Sequence, residues 1–269
     1  MNLLTATLLL APAVVALIVM RIIPMVFALV QSFEHQSFVS GAISFAGVDN
    51  YGYLLTSPGF YSVVVTTLVF NVVVNPLVVV LSTALALLLS QRVRFVGLWR
   101  AMIFVPAAVP GAVAALIWST ALQPDGLVNA ALKAIGLPPQ PFLTSSRQAL
   151  VAIGIMVVWG ALGYWMLFLI AGLKDIPESL TEAAIMDGAG WWRRLFSITL
   201  PLLRRPMAFV LIACTVGNFL VFAPIQILTQ GGPAGSTNMI MYNIYYNAYQ
   251  IGDLGTAQAQ VVLLLLLLS

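Results

Sequence analysis

The chain has 269 residues, 61% of them hydrophobic and only 7% charged, with a mean hydropathy of +1.04. A soluble domain is about 25% charged, so most of this surface is built for lipid; a soluble enzyme, a nucleic-acid binder and a disulfide-stapled secreted fold are excluded together. The formal charge of +3 is no nucleic-acid signature, because the positive residues sort by membrane side, and the single cysteine, Cys214, forms no internal disulfide.

The scarce charges outline the topology. Charge-free intervals run over 1–20, 50–91, 101–124, 148–173, 206–252 and 254–269. A crossing helix needs about 20 mainly apolar residues. An all-α integral membrane protein follows, with six transmembrane helices near 3–30, 60–90, 101–122, 148–172, 206–228 and 255–269. For the first segment a signal peptide is the rival, but the basic start and the small-residue cleavage site are missing. Arg21 lies toward the outer end of that segment, where snorkelling to the interface competes with contact to substrate or a partner.

In loop 31–59, His35 beside Glu34 reads as a surface residue. Asp49-Asn50-Tyr51 reads as an amino-terminal cap for a short helix that Pro58-Gly59 stops. In the second span Asn71 and Asn75 share a face. Helix-to-helix hydrogen bonding is the default role for both, and Asn75 before Pro76 also suits a kink. Loop 91–100 holds Arg92, Arg94 and Arg100. Loop 123–147 is turn-rich, with Pro124-Asp125-Gly126 and Pro138-Pro139. Loop 229–254 begins Gly231-Gly232-Pro233 and carries Tyr242, Tyr245, Tyr246 and Tyr249, either an interfacial belt or a docking surface for a soluble partner outside.

Eight of the 11 basic residues fall in loops 91–100 and 173–205, while the alternate loops hold only Lys133 and Arg147. The positive-inside rule places both basic loops and both termini in the cytoplasm. The last segment stops at Ser269 about 15 residues into its span, and no basic tail precedes the first. The sequence is therefore expected to be trimmed at one or both ends, with a short or tilted last helix as the alternative.

Segment 173–205 alone resembles a soluble protein in composition. Pro177 suits a first helical turn, and Leu180, Ala183, Ala184 and Asp187 follow at three- and four-residue spacing. Gly188 and Gly190 permit a sharp turn. A second short helix over Trp191–Thr199 puts Trp192 and Phe196 on one face, and Pro201 and Pro206 are expected to return the chain to the membrane. Small alanines and exposed aromatics on a helix–glycine–helix elbow suit a protein groove, against the plain alternative of a connecting loop.

Glu182-Ala183-Ala184, then Asp187-Gly188-Ala189, then Phe196, Ile198 and Leu200-Pro201 with Pro206 beyond, resembles the EAA loop of permease subunits in binding-protein-dependent ABC importers. Trp118, Gly126 and Asn129, and Leu228 to Pro233 followed by Ser236-Thr237, are similar to the carbohydrate-uptake branch, which includes permeases for maltose, trehalose and other sugars and for glycerol 3-phosphate. The resemblance implies an ABC type I importer permease architecture, with residues 1–269 as one transmembrane permease domain of a bacterial or archaeal plasma membrane. It also implies that the loop at about 173–205 is a coupling helix docking into a cytoplasmic ATPase through Glu182, Ala183, Ala184, Asp187, Gly188 and Ala189. Glu182 or Asp187 would pair with basic groups on that ATPase or, alternatively, cap a helix within the loop.

No phosphate loop is expected here. The pattern requires lysine after glycine, and neither Lys133 nor Lys174 fits. No metal site is expected from one histidine and one cysteine. Cofactors are therefore expected on other chains, with ATP and Mg on ATPase partners. Acids are absent from the expected spans, so the path must use uncharged polar and aromatic groups, which suits sugars. In the fifth span Cys214, Asn218 and Val221 share a face at four- and three-residue spacing. By resemblance that face lines the sugar site, and Trp159 and Tyr164 align with pocket-lining positions; packing against a partner helix competes for Trp159. Cys214 and Val221 stand where the maltose type is more polar, which argues against maltose itself.

The partners implied are a second, similar permease, two ATPase subunits or domains, an extracytoplasmic substrate-binding protein or lipoprotein, and the bilayer. An autonomous channel or secondary carrier explains the hydrophobicity but not the elbow, and a membrane-embedded enzyme lacks a cluster of reactive groups.

Overall fold

The computed structural model describes residues 3–36, 42–91 and 94–269, so Arg92 lies outside the described residues. The chain divides into two compact units: Met1–Val64 with Ile240–Ser269, and Val65–Met239.

In the first unit, helix α1 (Leu3–Leu17), a π turn (Ile18–Ile22) and α2 (Ile23–Gln31) follow without interruption, and Leu9–Gln31 is apolar and long enough to cross a membrane. The π turn has a local cause. Pro24 brings no N–H and its ring crowds the carbonyl one turn earlier, so the helix widens just before it, with Ile23 N–H donating to Ile18 O. Arg21 sits exposed on that turn.

Loop 31–59 contains a small antiparallel hairpin, β1 (Glu34–Gln36) against β2 (Ile43–Phe45), with His35 opposite Ser44. Helix α3 (Asp49–Thr56) follows, but the expected cap is not what starts it. Val48 occupies the cap position, and Asn50 instead turns inward to donate from Nδ2 to Ser32 O (2.9 Å) and Glu34 O (3.0 Å). Ser57 alone interrupts the helix, and Pro58, placed where its missing N–H costs nothing, opens the next helix rather than stopping α3.

Helices α13 (Ile240–Tyr245) and α14 (Leu254–Leu268), joined through a π turn at Tyr246–Ile251, complete this unit. Gly255 is required there, because a Cβ would collide with Glu34 O and lie 2.8 Å from Asn50 Nδ2. Asp253 caps α14 by accepting from Thr256 N–H at 3.0 Å, and Gln260 Nε2 donates to Asn243 Oδ1 at 2.8 Å. Leu54, Phe60 and Ala259 form the apolar centre.

Helix α4 (Pro58–Leu89) runs unbroken for 32 residues across the division and into the second unit. Arg100, in α5 (Val96–Ala108), donates from Nη2 to Leu89 O at 2.5 Å and thereby caps the carboxyl end of α4. The single third span expected over 101–122 is instead α5 plus α6 (Gly111–Ala121), bent by 95°. Pro110 is the reason, since the residue before a proline avoids helix, and Val109 is extended at φ −82°, ψ 126°.

Helix α7 (Leu127–Ala134) lies in the following loop, which Asn129 staples. It is fully buried, donates to Gln123 O and Gln140 O, and accepts from Gln140 N–H at 2.8 Å. Helix α8 (Ala149–Lys174) passes so close to α5 that a Cβ on Gly163 would collide with Ile103 O and come within 2.6 Å of Phe104 Cα.

Helix α9 (Glu178–Met186) is followed by α10 (Trp191–Arg194), a π turn (Leu195–Thr199) and α11 (Leu200–Phe219). The fifth span therefore begins well before residue 206. Trp191–Phe219 is one run of 29 residues, because the π turn absorbs the missing N–H of Pro201: Leu200 N–H reaches back to Leu195 O. The run ends at Phe219, and α12 (Ala223–Leu228) starts after a break.

Among the described residues four helices are thus long and apolar enough to cross, Leu9–Gln31, Pro58–Leu89, Ala149–Lys174 and Trp191–Phe219, and the bent pair makes a fifth candidate. The sixth expected span, α14, is present but has 15 residues, about 22 Å against a hydrocarbon core of about 30 Å.

Candidate functional site: an elbow and a buried polar clasp

The elbow is built by a helix ending that its sequence dictates. Gly188 adopts φ +74°, and its N–H donates to Ile185 O while Ala189 N–H donates to Ala184 O, both at 2.9 Å. This pairing satisfies two terminal carbonyls and requires a left-handed residue at 188, where a side chain is strained even though open space surrounds it.

Of the expected elbow residues, Ala184 is buried and Ala189 half-buried, whereas Glu182, Ala183, Asp187 and Gly188 face outward. The two alanines therefore do different jobs: Ala184 seats the helix and Ala183 is presented. Neither α9 nor α10 carries a side-chain cap, so neither Glu182 nor Asp187 is spent capping a helix there.

Met186 is 87% exposed, Trp192 67% and Phe196 61%. Trp192 stacks on Phe196 at 13° and meets Trp191 edge-on at 4.5 Å, forming a preassembled aromatic ridge. Behind the elbow, against the ends of α4 and α8, lies a cavity of about 570 Å³ whose polar lining includes Gln91, Lys174, Glu178 and Arg194. Tight packing therefore does not brace the elbow on that side.

At the other end of the same run lies a buried amide cluster. Asn71 Nδ2 donates to Thr67 O at 2.8 Å, and Asn75 Nδ2 donates to Asn71 Oδ1 at 3.0 Å. Asn75 Nδ2 also donates to Thr215 Oγ1 at 2.9 Å, and Asn218 Nδ2 donates to Asn75 Oδ1 at 2.5 Å. Asn75 is 3% exposed and Asn218 7%. The helix-to-helix role expected for Asn71 and Asn75 is displayed by Asn75, which bonds Thr215 and Asn218 of α11, whereas Asn71 bonds only Thr67 and Asn75 within α4.

The expected pocket residues do not converge on one face. Cys214 lies one turn before Asn218 and is buried with it. Val221 is past the end of α11, so helical spacing no longer places it on their face. On α8, Trp159 and Tyr164 point about 140° apart. Trp159 meets Trp118 edge-on at 5.9 Å beside Ala114, Ala115 and Met156, which is the packing role. Tyr164 is exposed and meets Trp165 edge-on at 4.8 Å.

Sequence reasoning missed Thr215 as the second partner of Asn75 and Trp118 as the partner of Trp159. Its motif residues around 229–237 close a turn: Thr229 and Thr237 hydroxyls lie 2.8 Å apart, and Thr237 Oγ1 donates to Gly232 O at 2.7 Å.

Residues 78–269 match the family described as binding-protein-dependent transport system inner membrane component. The trehalose/maltose transport system permease protein MalF of Thermococcus litoralis is 36% identical over 220 residues, covering 81% of this chain and 74% of that protein. The sn-glycerol-3-phosphate transport system permease protein UgpA of Agrobacterium fabrum is 33% identical over 266 residues, covering 97% and 89%. In fold, the chain is similar to a chain in the crystal structure of a bacterial alginate ABC transporter in complex with an alginate pentasaccharide-bound periplasmic protein, with a TM-score of 0.85 at 23% identity, covering 99% of this chain and 90% of that one. The expected resemblance holds along nearly the whole chain, which belongs to the inner-membrane components of binding-protein-dependent transport systems and is a permease subunit of an ABC importer.

Proposed function

We propose that this permease subunit forms half of the translocation path for a sugar or sugar-like solute, residues 1–269 acting as one permease domain. It couples that path to ATPase subunits on other chains, which bind the ATP and Mg. A second, homologous permease supplies the other half, and an extracytoplasmic binding protein or lipoprotein delivers the solute. Both termini and segment 173–205 are cytoplasmic in this reading, as the arginine distribution supports.

The observation that carries the coupling role is the elbow itself. Met186, Trp192 and Phe196 stand exposed around the left-handed Gly188, within the loop that holds nine of the nineteen charged residues. Exposed aromatics of this density suit a protein groove. Glu182, Ala183, Asp187 and Gly188 face the docking groove, Ala184 and Ala189 seat the elbow behind them, and Glu182 or Asp187 pairs with basic groups of the ATPase. The solute class is supported by the relatives named for trehalose, maltose and glycerol 3-phosphate. Asn218 serves the path with Cys214 one turn away; Val221, Trp159 and Tyr164 border it less directly.

Co-purification with the cognate ATPase tests the coupling role. Gly188→Pro combined with Glu182→Arg is expected to abolish both association and uptake, and normal uptake by that variant rejects the assignment. Binding of maltose, trehalose and glycerol 3-phosphate to the cognate binding protein tests the solute class.

A further inference from the structure

The clasp has a direction, and backbone carbonyls set it. Thr67 O can only accept, so Asn71 must turn Nδ2 toward it and Oδ1 toward Asn75. On α11 the Thr215 hydroxyl donates its one proton to Leu211 O at 2.8 Å, so toward Asn75 it can only accept. Both constraints demand the amino group of Asn75 on the same side. Asn75 Oδ1 is then left facing α11, and Asn218 must meet it with Nδ2. Exchanging oxygen and nitrogen on Asn75 would set oxygen against Asn71 Oδ1 and against a committed hydroxyl, and would bring two amino groups together. Among the described residues Asn218 joins the clasp through Nδ2 alone, and its Oδ1 takes no part in it.

We propose that Asn75 is a positioning residue for solute recognition: it locks the Asn218 amide so that the path is offered an acceptor oxygen, which selects solutes carrying a hydroxyl donor at that point. The proposal rests on the reading of Asn218 as a path residue. A site that holds an acceptor for a hydroxyl rejects an analogue lacking that hydroxyl more strongly than an apolar pocket rejects one methylene, because the buried acceptor is left unpaired.

The test uses the assembled transporter in proteoliposomes with radiolabelled maltose, trehalose and glycerol 3-phosphate, together with mono-deoxy analogues of those that are carried. Assembly is checked by size exclusion. Asn218→Ala and Asn75→Leu are each expected to lower uptake about tenfold, the worth of one hydrogen bond, and the double variant no further. In Asn75→Leu the preference for one parent solute over its deoxy analogue collapses toward unity, a change that a merely structural role would not produce because both solutes would slow equally.

Asn75→Ala serves as the second variant if Asn75→Leu does not assemble, and is expected to lose the preference in the same way, because it too removes the group that orients the Asn218 amide. If Asn218→Ala loses uptake while Asn75→Leu keeps both rate and preference, the positioning role is overturned and the path reading survives. If Asn218→Ala transports normally, or none of the three solutes is carried, both fall. Retention of the preference in an assembled Asn75→Ala transporter also overturns the proposal, since nothing would then orient the Asn218 amide.

Discussion

The two ends of the Trp191–Phe219 run use side chains in opposite ways. At the elbow end Trp192 and Phe196 stack on one another and remain 67% and 61% exposed. At the far end Thr215 and Asn218 are tied into α4 through Asn75. Lipid gives a polar side chain no substitute for a partner, so a clasp there completes itself within the chain. On the proposed coupling role the elbow end is aqueous and leaves an apolar surface unfinished, the kind of surface that marks a contact site.

Breaking the packed side should be the most damaging. Gly163→Leu drives a side chain into the α5 backbone and is expected to cost about 3 kcal/mol or prevent assembly, read as a lowered Tm of the purified permease. On the open side, Trp192→Ala with Phe196→Ala is expected to leave that Tm unchanged while weakening ATPase capture by at least about 2 kcal/mol, roughly thirtyfold, in a titration of the ATPase. A loss of Tm there would mean that the ridge is part of the permease core. Gly188→Ala should fall between, at about 1–2 kcal/mol of strain confined to the elbow, seen as faster amide exchange across Ile185–Ala189 with the clasp unaffected. The smallest effect is expected from Thr215→Val, which removes one acceptor from Asn75: about 0.6–1.7 kcal/mol in denaturant titration.

The membrane class and the elbow were legible in the sequence because both rest on local chemistry. Apolar length announces a span, and a glycine after a short amphipathic helix announces a left-handed ending. Span boundaries failed where proline has two meanings. Pro110 does break a span, but Pro201 sits inside a continuous run, and only the π turn at Leu195–Thr199 makes that possible. The clasp failed for another reason. Asn75 and Asn218 are 143 residues apart, and no spacing rule links them. The face drawn through Cys214, Asn218 and Val221 assumed a helix one turn longer than the one that forms.

That unbroken run of 29 residues also acts as a ruler of about 43 Å with a fixed phase. On the proposed coupling role, exchanging elbows between permeases to change the ATPase they engage is then a matter of register. One residue added between Leu202 and Leu211 would turn the ridge by about 100° relative to Asn218, whereas seven would bring it back to within about 20° and shift it by about 10 Å. Graft length, as much as graft identity, decides whether the two ends still answer one another.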